Sequence, residues 1–68
     1  MRTELRVFRV RQKMTQAQFA EKIGVGRALY AAVENGSRNG TLAFWQKFKK
    51  TFDIPESEIW RYTQNDED

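Results

Sequence analysis

The side chains of this sequence that could do chemistry are hydrogen-bond donors rather than acid–base or nucleophilic groups. The 68 residues contain no histidine and no cysteine, which removes the commonest general base, the commonest zinc ligand and every thiolate. No convergent pair of carboxylates replaces them, so the sequence predicts neither an enzyme nor a metal or cofactor site. The remaining candidates are the amide and guanidinium groups of Gln16, Arg27, Asn35 and Arg38.

The run over residues 15–36 predicts the elements that must position these donors. Thr15 is a good N-cap, and Phe19 and Ile23 follow at helical spacing. Gly24 can turn the chain with a positive φ, and a second short helical segment follows it. This is the layout of a helix-turn-helix, whose second helix can enter the major groove of DNA.

Apolar periodicity and turn-forming residues predict a compact all-α domain of five helices, without a strand. The expected helix bounds are about 3–13, 16–23, 26–34, 42–52 and 56–62. The domain would cover residues 1–63, and residues 64–68 would form an acidic, frayed tail. The expected core residues are Leu5, Phe8, Met14, Phe19, Ala20, Ile23, Val25, Tyr30, Val33, Leu42, Trp45, Phe48, Phe52, Ile54 and Ile59. The apolar residues expected outside the core are Val7, Val10, Leu29, Phe44 and Trp60.

The helix-turn-helix run and its flanks resemble the Cro/repressor-like helix-turn-helix family, of the xenobiotic-response-element type. The matching residues are Arg9, Thr15, Gln16, Phe19, Ala20, Ile23, Gly24, Val25, Arg27, Glu34, Asn35, Gly36, Arg38, Asn39, Thr41, Leu42, Ile54, Glu58 and Ile59. The ordered set over residues 4–62 is more specific than any one of its pieces. The resemblance implies a five-helix repressor-like fold and a regulator that binds a two-fold operator in double-stranded DNA as a dimer.

The resemblance also implies which residues read DNA. Ala28, Ala31 and Ala32 fall on the same arc of the third predicted helix as Arg27, and this arc is the expected base-contacting face. Arg27 can pair with guanine O6 and N7, although a phosphate contact or plain solvation would also suit it. The three alanines depart from the polar recognition helix usual in the family, which argues against high sequence specificity.

Three polar side chains are the expected phosphate contacts. Gln16 would lie at the start of the second helix, where free N–H groups suit a phosphate oxygen; ordinary helix-start polarity is the alternative. Asn35 would follow the third helix and could serve as a C-cap as well as a donor. Arg38 lies in a glycine- and asparagine-rich loop with no acid nearby, so phosphate contact competes there with solvation.

Two further sets of residues are expected to hold the domain together or to join two copies. Arg9 and Glu34 match an ion pair that in the family fixes the first helix against the end of the third. In the family, the fifth helix and the loop before it often form the two-fold contact, with closure of the core as the alternative role for their apolar residues. The candidate dimer contacts are Ile54, Pro55, Ile59 and Trp60. A weak homodimer, strengthened on DNA, is expected.

The net charge of +3 is unevenly distributed along the chain. Residues 1–14 hold five basic side chains against one acid, whereas residues 51–68 hold six acids against one arginine. This asymmetry fits a protein that offers one face to a polyanion, although solvated helix faces give similar runs.

The sequence supports three further expectations. A protein-interaction module on the same scaffold is the alternative function, favoured by the apolar surface around Ala28, Leu29 and Ala32. No small-molecule ligand is indicated. No apolar run reaches membrane-spanning length and no signal peptide opens the chain, so a cytoplasmic location is expected.

Overall fold

The computed structural model describes residues 1–66, which form five α-helices and no strand. The helices are α1 (Thr3–Arg11), α2 (Gln16–Ile23), α3 (Arg27–Asn35), α4 (Leu42–Phe52) and α5 (Glu56–Thr63). The predicted all-α, five-helix fold is confirmed. None of the described helices is both long and apolar enough to cross a membrane.

Local hydrogen bonds set where α2 and α4 begin. Thr15 Oγ1 accepts from the Gln18 N–H at 3.1 Å, and Gln18 Oε1 accepts from the Thr15 N–H at 2.9 Å. Thr41 Oγ1 likewise accepts from the Phe44 N–H at 3.1 Å. These bonds satisfy N–H groups that a helix leaves unpaired in its first turn. At the other end of α2, Gly24 adopts φ +85°, which ends the helix and redirects the chain into α3.

A cluster of aromatic rings fills the space between the helices. Phe8 of α1 meets Phe19, Phe48, Phe52 and Tyr62 edge-on, with ring centroids 5.0 to 6.2 Å apart. These contacts join α1 to α2, α4 and α5 around one centre. Because the chain has no cysteine for a disulfide, a domain this small depends on such packing for its stability.

Three of the core predictions are wrong, and two of them concern α4. The third is Leu29 of α3, which was expected outside the core but is half-buried and packs against it. Leu42 was expected inside but is 73% exposed, whereas Phe44 was expected outside but is 2% exposed. Phe44 stacks on Tyr30 with ring centroids 6.2 Å apart. The inward face of α4 follows the spacing of four residues between Phe44 and Phe48, which rotates Leu42 at the start of the helix towards solvent.

The two ends of the described chain lie side by side. Asn65 Oδ1 accepts from the Met1 amino group at 2.9 Å, and the Asp66 N–H donates to the Met1 carbonyl at 2.7 Å. Asn65 Nδ2 also donates to the Gly36 carbonyl at 3.1 Å. Residues 64–66 are therefore bonded to the domain, where the sequence led us to expect fraying. Residues 67–68 of the expected tail lie outside the described residues.

Candidate nucleic-acid interface

The helix α3 has one buried side and one accessible side of mostly small residues. Tyr30 and Val33 are fully buried in the core. The residues on the accessible side are Arg27, Ala28, Ala31, Ala32 and Asn35, of which Ala31 and Ala32 are half-buried and the rest exposed. Short side chains would let the helix axis come close to the floor of a groove, with Arg27 as the long polar donor at the start of the helix.

The turn between α2 and α3 is short and tightly bonded. Three residues separate the two helices, and the N–H groups of Gly24 and Val25 donate to the Ala20 carbonyl at 2.9 and 3.0 Å. Ala20 is buried between the helices, where its small side chain permits a close crossing. The structure therefore contains a helix-turn-helix in which α3 is held as the second, outward-facing helix.

Glu34, in the last turn of α3, is the centre of a buried polar cluster. Its carboxylate accepts from Arg9 Nε at 2.7 Å and Arg9 Nη2 at 3.2 Å. It also accepts from the Tyr30 hydroxyl at 2.7 Å and from Gln16 Nε2 at 3.0 Å. Arg9 Nη1 donates in addition to the Met14 carbonyl at 2.8 Å. One carboxylate thus ties α1, α2 and α3 together.

The protonation states in this cluster suit its hydrogen bonds. Burial raises the pKa of the Glu34 carboxyl, but the bonds from Arg9, Tyr30 and Gln16 outweigh it, so that pKa lies below its ordinary value of 4.5. The hydrogen bond to Glu34 raises the pKa of Arg9. Burial, and then the bond to Glu34, raises the pKa of the Tyr30 hydroxyl. At neutral pH the carboxylate is therefore an anion that accepts from a cation and a neutral hydroxyl.

Gln16 lies at the start of α2, as expected, but its side chain is half-buried and bonded to Glu34. The sequence did not indicate this bond. The Gln16 amide nitrogen carries a second hydrogen. Among the first N–H groups of α2, that of Gln18 donates to Thr15 Oγ1. The N–H groups before it have no acceptor within the helix and point out of its N-terminal end.

The loop between α3 and α4 carries the exposed Arg38. Gly36, with φ +91°, ends α3. Asn35 Oδ1 accepts from the Ser37 N–H at 2.9 Å, which leaves the Asn35 amide nitrogen for an outside acceptor. The N–H groups of Ser37 and Arg38 both donate to the Ala32 carbonyl, at 3.0 and 3.2 Å. The start of the loop is therefore folded back on the last turns of α3, and the exposed Arg38 lies in this folded-back segment.

Comparison with known proteins agrees with this geometry. The model of the helix-turn-helix family matches residues 5–59. The chain belongs to the Cro/repressor-like helix-turn-helix family of transcriptional regulators. It is 38% identical to a protein of Archaeoglobus fulgidus named an uncharacterized HTH-type transcriptional regulator, over 88% of this chain and 97% of the relative. A protein of the same description from Methanocaldococcus jannaschii is 31% identical, over 97% of this chain and all of the relative. No solved structure matches the chain significantly.

Arg2 is a residue of this helix-turn-helix domain that the sequence did not reveal. It counts among the basic residues of the N-terminal segment, but in the structure it is 3% exposed. Its guanidinium makes four hydrogen bonds, all to backbone carbonyls. The acceptors are the carbonyls of Val33, Arg38, Asn39 and Thr63, at 2.6, 2.8, 3.3 and 3.1 Å. Because every residue type has a backbone carbonyl, no partner side chain in the sequence could have pointed to this site.

The candidate dimer contacts separate into buried and exposed residues. Ile54 is 8% exposed and belongs to the core, so it has little surface to offer a partner. Pro55 is exposed, Ile59 is half-buried and Trp60 is 59% exposed. Leu42, which was expected in the core, lines a cleft between α4 and α5 together with Ile59. We refer to Leu42 and Ile59, which line this cleft, together with the exposed Trp60 that follows Ile59 on α5, as the α4–α5 patch.

Proposed function

We propose that this protein is a repressor that binds a two-fold DNA operator as a dimer, with α3 of each protomer in the major groove. The observation that carries the proposal is the placement of exposed donors at both ends of one helix. Arg27 begins α3, while Asn35 and Arg38 follow its last turn, and the opposite side of the helix is buried. Repression needs only occupancy of the operator, which such a domain supplies by itself.

We assign base reading to Arg27 and phosphate contact to Arg38. The expected result of Arg27→Ala is a loss of about 1–3 kcal/mol on the preferred site and little loss on random duplex. Arg38→Ala should weaken binding to both duplexes about equally, because a phosphate carries no sequence information. Fluorescence titrations of both variants against both duplexes provide the test. Equal losses for Arg27→Ala on the two duplexes would make Arg27 a phosphate ligand instead.

Gln16 and Asn35 complete the proposed phosphate contacts, as neutral donors at the start of α2 and the end of α3. Neutral amides fix the register on DNA but release no counterion, so the charged contacts set the salt dependence. With about 4–6 charged contacts per dimer from Arg38 and its basic neighbours, log K should fall with log salt at a slope of about −4 to −5. Absence of binding to any duplex at low salt would refute the proposed function.

The α4–α5 patch is the surface that we assign to the second protomer. It lies on helices other than α3, so two copies can meet there while both reading helices remain free. The patch is small, which fits weak association in solution that DNA strengthens. Trp60→Ala should lower cooperativity on a two-fold operator and leave half-site binding nearly unchanged. The matched control is Val10→Ala, which removes an exposed apolar side chain of α1. If Trp60→Ala and Val10→Ala bind the two-fold operator with equal cooperativity, the dimer contact does not involve Trp60.

The short side chains of Ala28, Ala31 and Ala32 favour one alternative, a protein-interaction module that uses the same face of α3. Selection from a pool of random duplexes separates the two functions. A palindromic motif enriched by the protein supports the operator, and an unenriched pool supports the interaction module.

A further inference from the structure

Arg2 lies where the ends of two helices meet the loop over residues 36–40. Val33 is in the last turn of α3, and Thr63 is the last residue of α5. Their carbonyls belong to the last turn of a helix, where intrahelical donors run out, and the Val33 carbonyl also accepts from the Gly36 N–H at 3.2 Å. The Arg2 guanidinium donates to both, and the backbone N–H of Arg2 donates to the Glu34 carbonyl at 2.7 Å. One residue thus caps the C-terminal ends of α3 and α5.

The positive charge of Arg2 is balanced by dipoles. No carboxylate of residues 1–66 lies within salt-bridge distance of this guanidinium. Burial lowers the pKa of Arg2, yet a guanidinium keeps its proton in proteins. The carbonyl ends of two helices carry partial negative charge, and the Trp45 ring lies 5.8 Å from the guanidinium carbon.

The same guanidinium fixes the loop that carries Arg38. Nη1 donates at once to the carbonyls of Val33 and Arg38, so one nitrogen spans from α3 to the loop. Nη2 donates to the Asn39 carbonyl, which also accepts from Trp45 Nε1 at 3.3 Å. The backbone from which the Arg38 side chain departs is therefore held between Arg2 and Trp45.

We propose that Arg2 is a positioning residue for DNA binding, which holds the backbone of Arg38 where the Arg38 side chain reaches a phosphate. This inference rests on the proposed function. If the loop were free, the entropy cost of ordering it would exceed the free energy that one phosphate contact returns, so Arg38 would stay in solvent in the complex and the contact would be lost. Arg2 does this without touching DNA.

Arg2→Lys is the informative variant, because it keeps the charge but cannot reproduce four donors in a planar fork. Arg38→Ala should make the salt slope shallower by about 0.9 per protomer, the value of one lost phosphate contact. Arg2→Lys should reproduce most of that change, and the double variant should show no further change. Arg6→Lys, an exposed arginine of α1, is the matched control and should leave the slope unchanged. A loss of folded protein alone would lower the apparent affinity without altering the slope.

The outcomes separate this inference from the proposed function. A wild-type protein that binds no duplex refutes the function. If the wild type binds and Arg38→Ala flattens the slope, but Arg2→Lys leaves it unchanged or adds to Arg38→Ala, only the positioning role is overturned. Circular dichroism should show Arg2→Lys to be folded, with sucrose added where its melting temperature approaches the assay temperature. A variant that stays unfolded in sucrose overturns the inference, since Arg2 would then serve the fold as a whole.

Discussion

Two arginines reach the C-terminal end of α3 from opposite ends of α1, and they are held there in different ways. Arg9, in the last turn of α1, meets the carboxylate of Glu34. Arg2, the N-cap of α1, meets four backbone carbonyls. We refer to these sites as the Arg9 pair and the Arg2 cage. The pair joins α3 to α1 and α2, whereas the cage joins it to the following loop and to α5.

The comparison shows that charge balance and hydrogen-bond satisfaction are separate requirements. In the Arg9 pair, one carboxylate balances the charge and accepts two of the three hydrogen bonds of the guanidinium, so the loss of Glu34 would leave a cation without its balance. In the Arg2 cage, the balance is spread over helix ends and four acceptors, so loss of the cation leaves only neutral carbonyls short of a donor. Two of these, the carbonyls of Val33 and Asn39, still accept from the Gly36 N–H and from Trp45 Nε1. A neutral group left unpaired costs less than a charged one, and water can reach a carbonyl near the surface. The pair should therefore be the more fragile of the two.

The largest effect is expected when the Arg9 pair is broken. Glu34→Ala should lower the free energy of unfolding by about 3 kcal/mol, the lower end of the range for breaking a buried pair. The lower end applies because the Arg9 side chain keeps 13% exposure, against 3% for Glu34. Chemical denaturation of Glu34→Ala, Arg9→Ala and the double variant should give strongly non-additive losses. Small, additive losses would mean that the two side chains do not interact in solution.

A smaller loss of stability is expected when the hydrogen-bond donors of Arg2 are removed from the Arg2 cage. Arg2→Met keeps an unbranched chain but removes every donor, so it should lower the free energy of unfolding by about 2 kcal/mol. The matched control is Arg6→Met on the exposed side of α1, which should change stability by about 0.5 kcal/mol or less. A loss for Arg2→Met that exceeds the loss for Glu34→Ala would reverse the comparison.

Acid should act on the Arg9 pair and not on the Arg2 cage. The pKa of Glu34 is lower in the folded protein than its ordinary value of 4.5. Its contribution to stability is therefore fully present above that value and is lost as pH falls through the lowered folded pKa. The stability difference between wild type and Glu34→Gln should shrink over that acidic range, whereas the difference between wild type and Arg2→Met should stay constant. Denaturation series from pH 7 down to pH 3 would measure both, and a constant Glu34→Gln difference would contradict the assignment.

The two sites also show what the sequence could predict. The Arg9 pair was expected, because a carboxylate partner is itself a residue that a family pattern can match. The bounds of α2 and α4 agree with the structure because Thr15 and Thr41 are local caps. The Arg2 cage depends on which carbonyls the tertiary fold brings together, and no local pattern encodes that.

The errors in α4 have a similar origin. The sequence offered Leu42, Phe44, Trp45, Phe48 and Phe52, which supply more apolar positions than one side of a helix can bury. The buried side is decided by Tyr30, which receives Phe44 from another helix. The roles of the exposed donors on α3 and its loop stay predictions, because they depend on a partner molecule.

The smallest effect is expected at the turn that the Arg9 pair anchors. Lys13 follows α1 with φ +61°, a left-handed conformation that costs a side chain with a Cβ about 1–2 kcal/mol. Glycine avoids that strain but loses more entropy on folding, about 0.5–1 kcal/mol. Lys13→Gly should therefore raise the free energy of unfolding by about 0.5–1 kcal/mol in the wild-type background. In the Arg9→Ala background the gain should shrink, because the bond from Arg9 Nη1 to the Met14 carbonyl no longer holds the turn in that conformation. An equal gain in both backgrounds would show that the turn keeps its conformation without the pair, and that the influence of the Arg9 pair ends at α1.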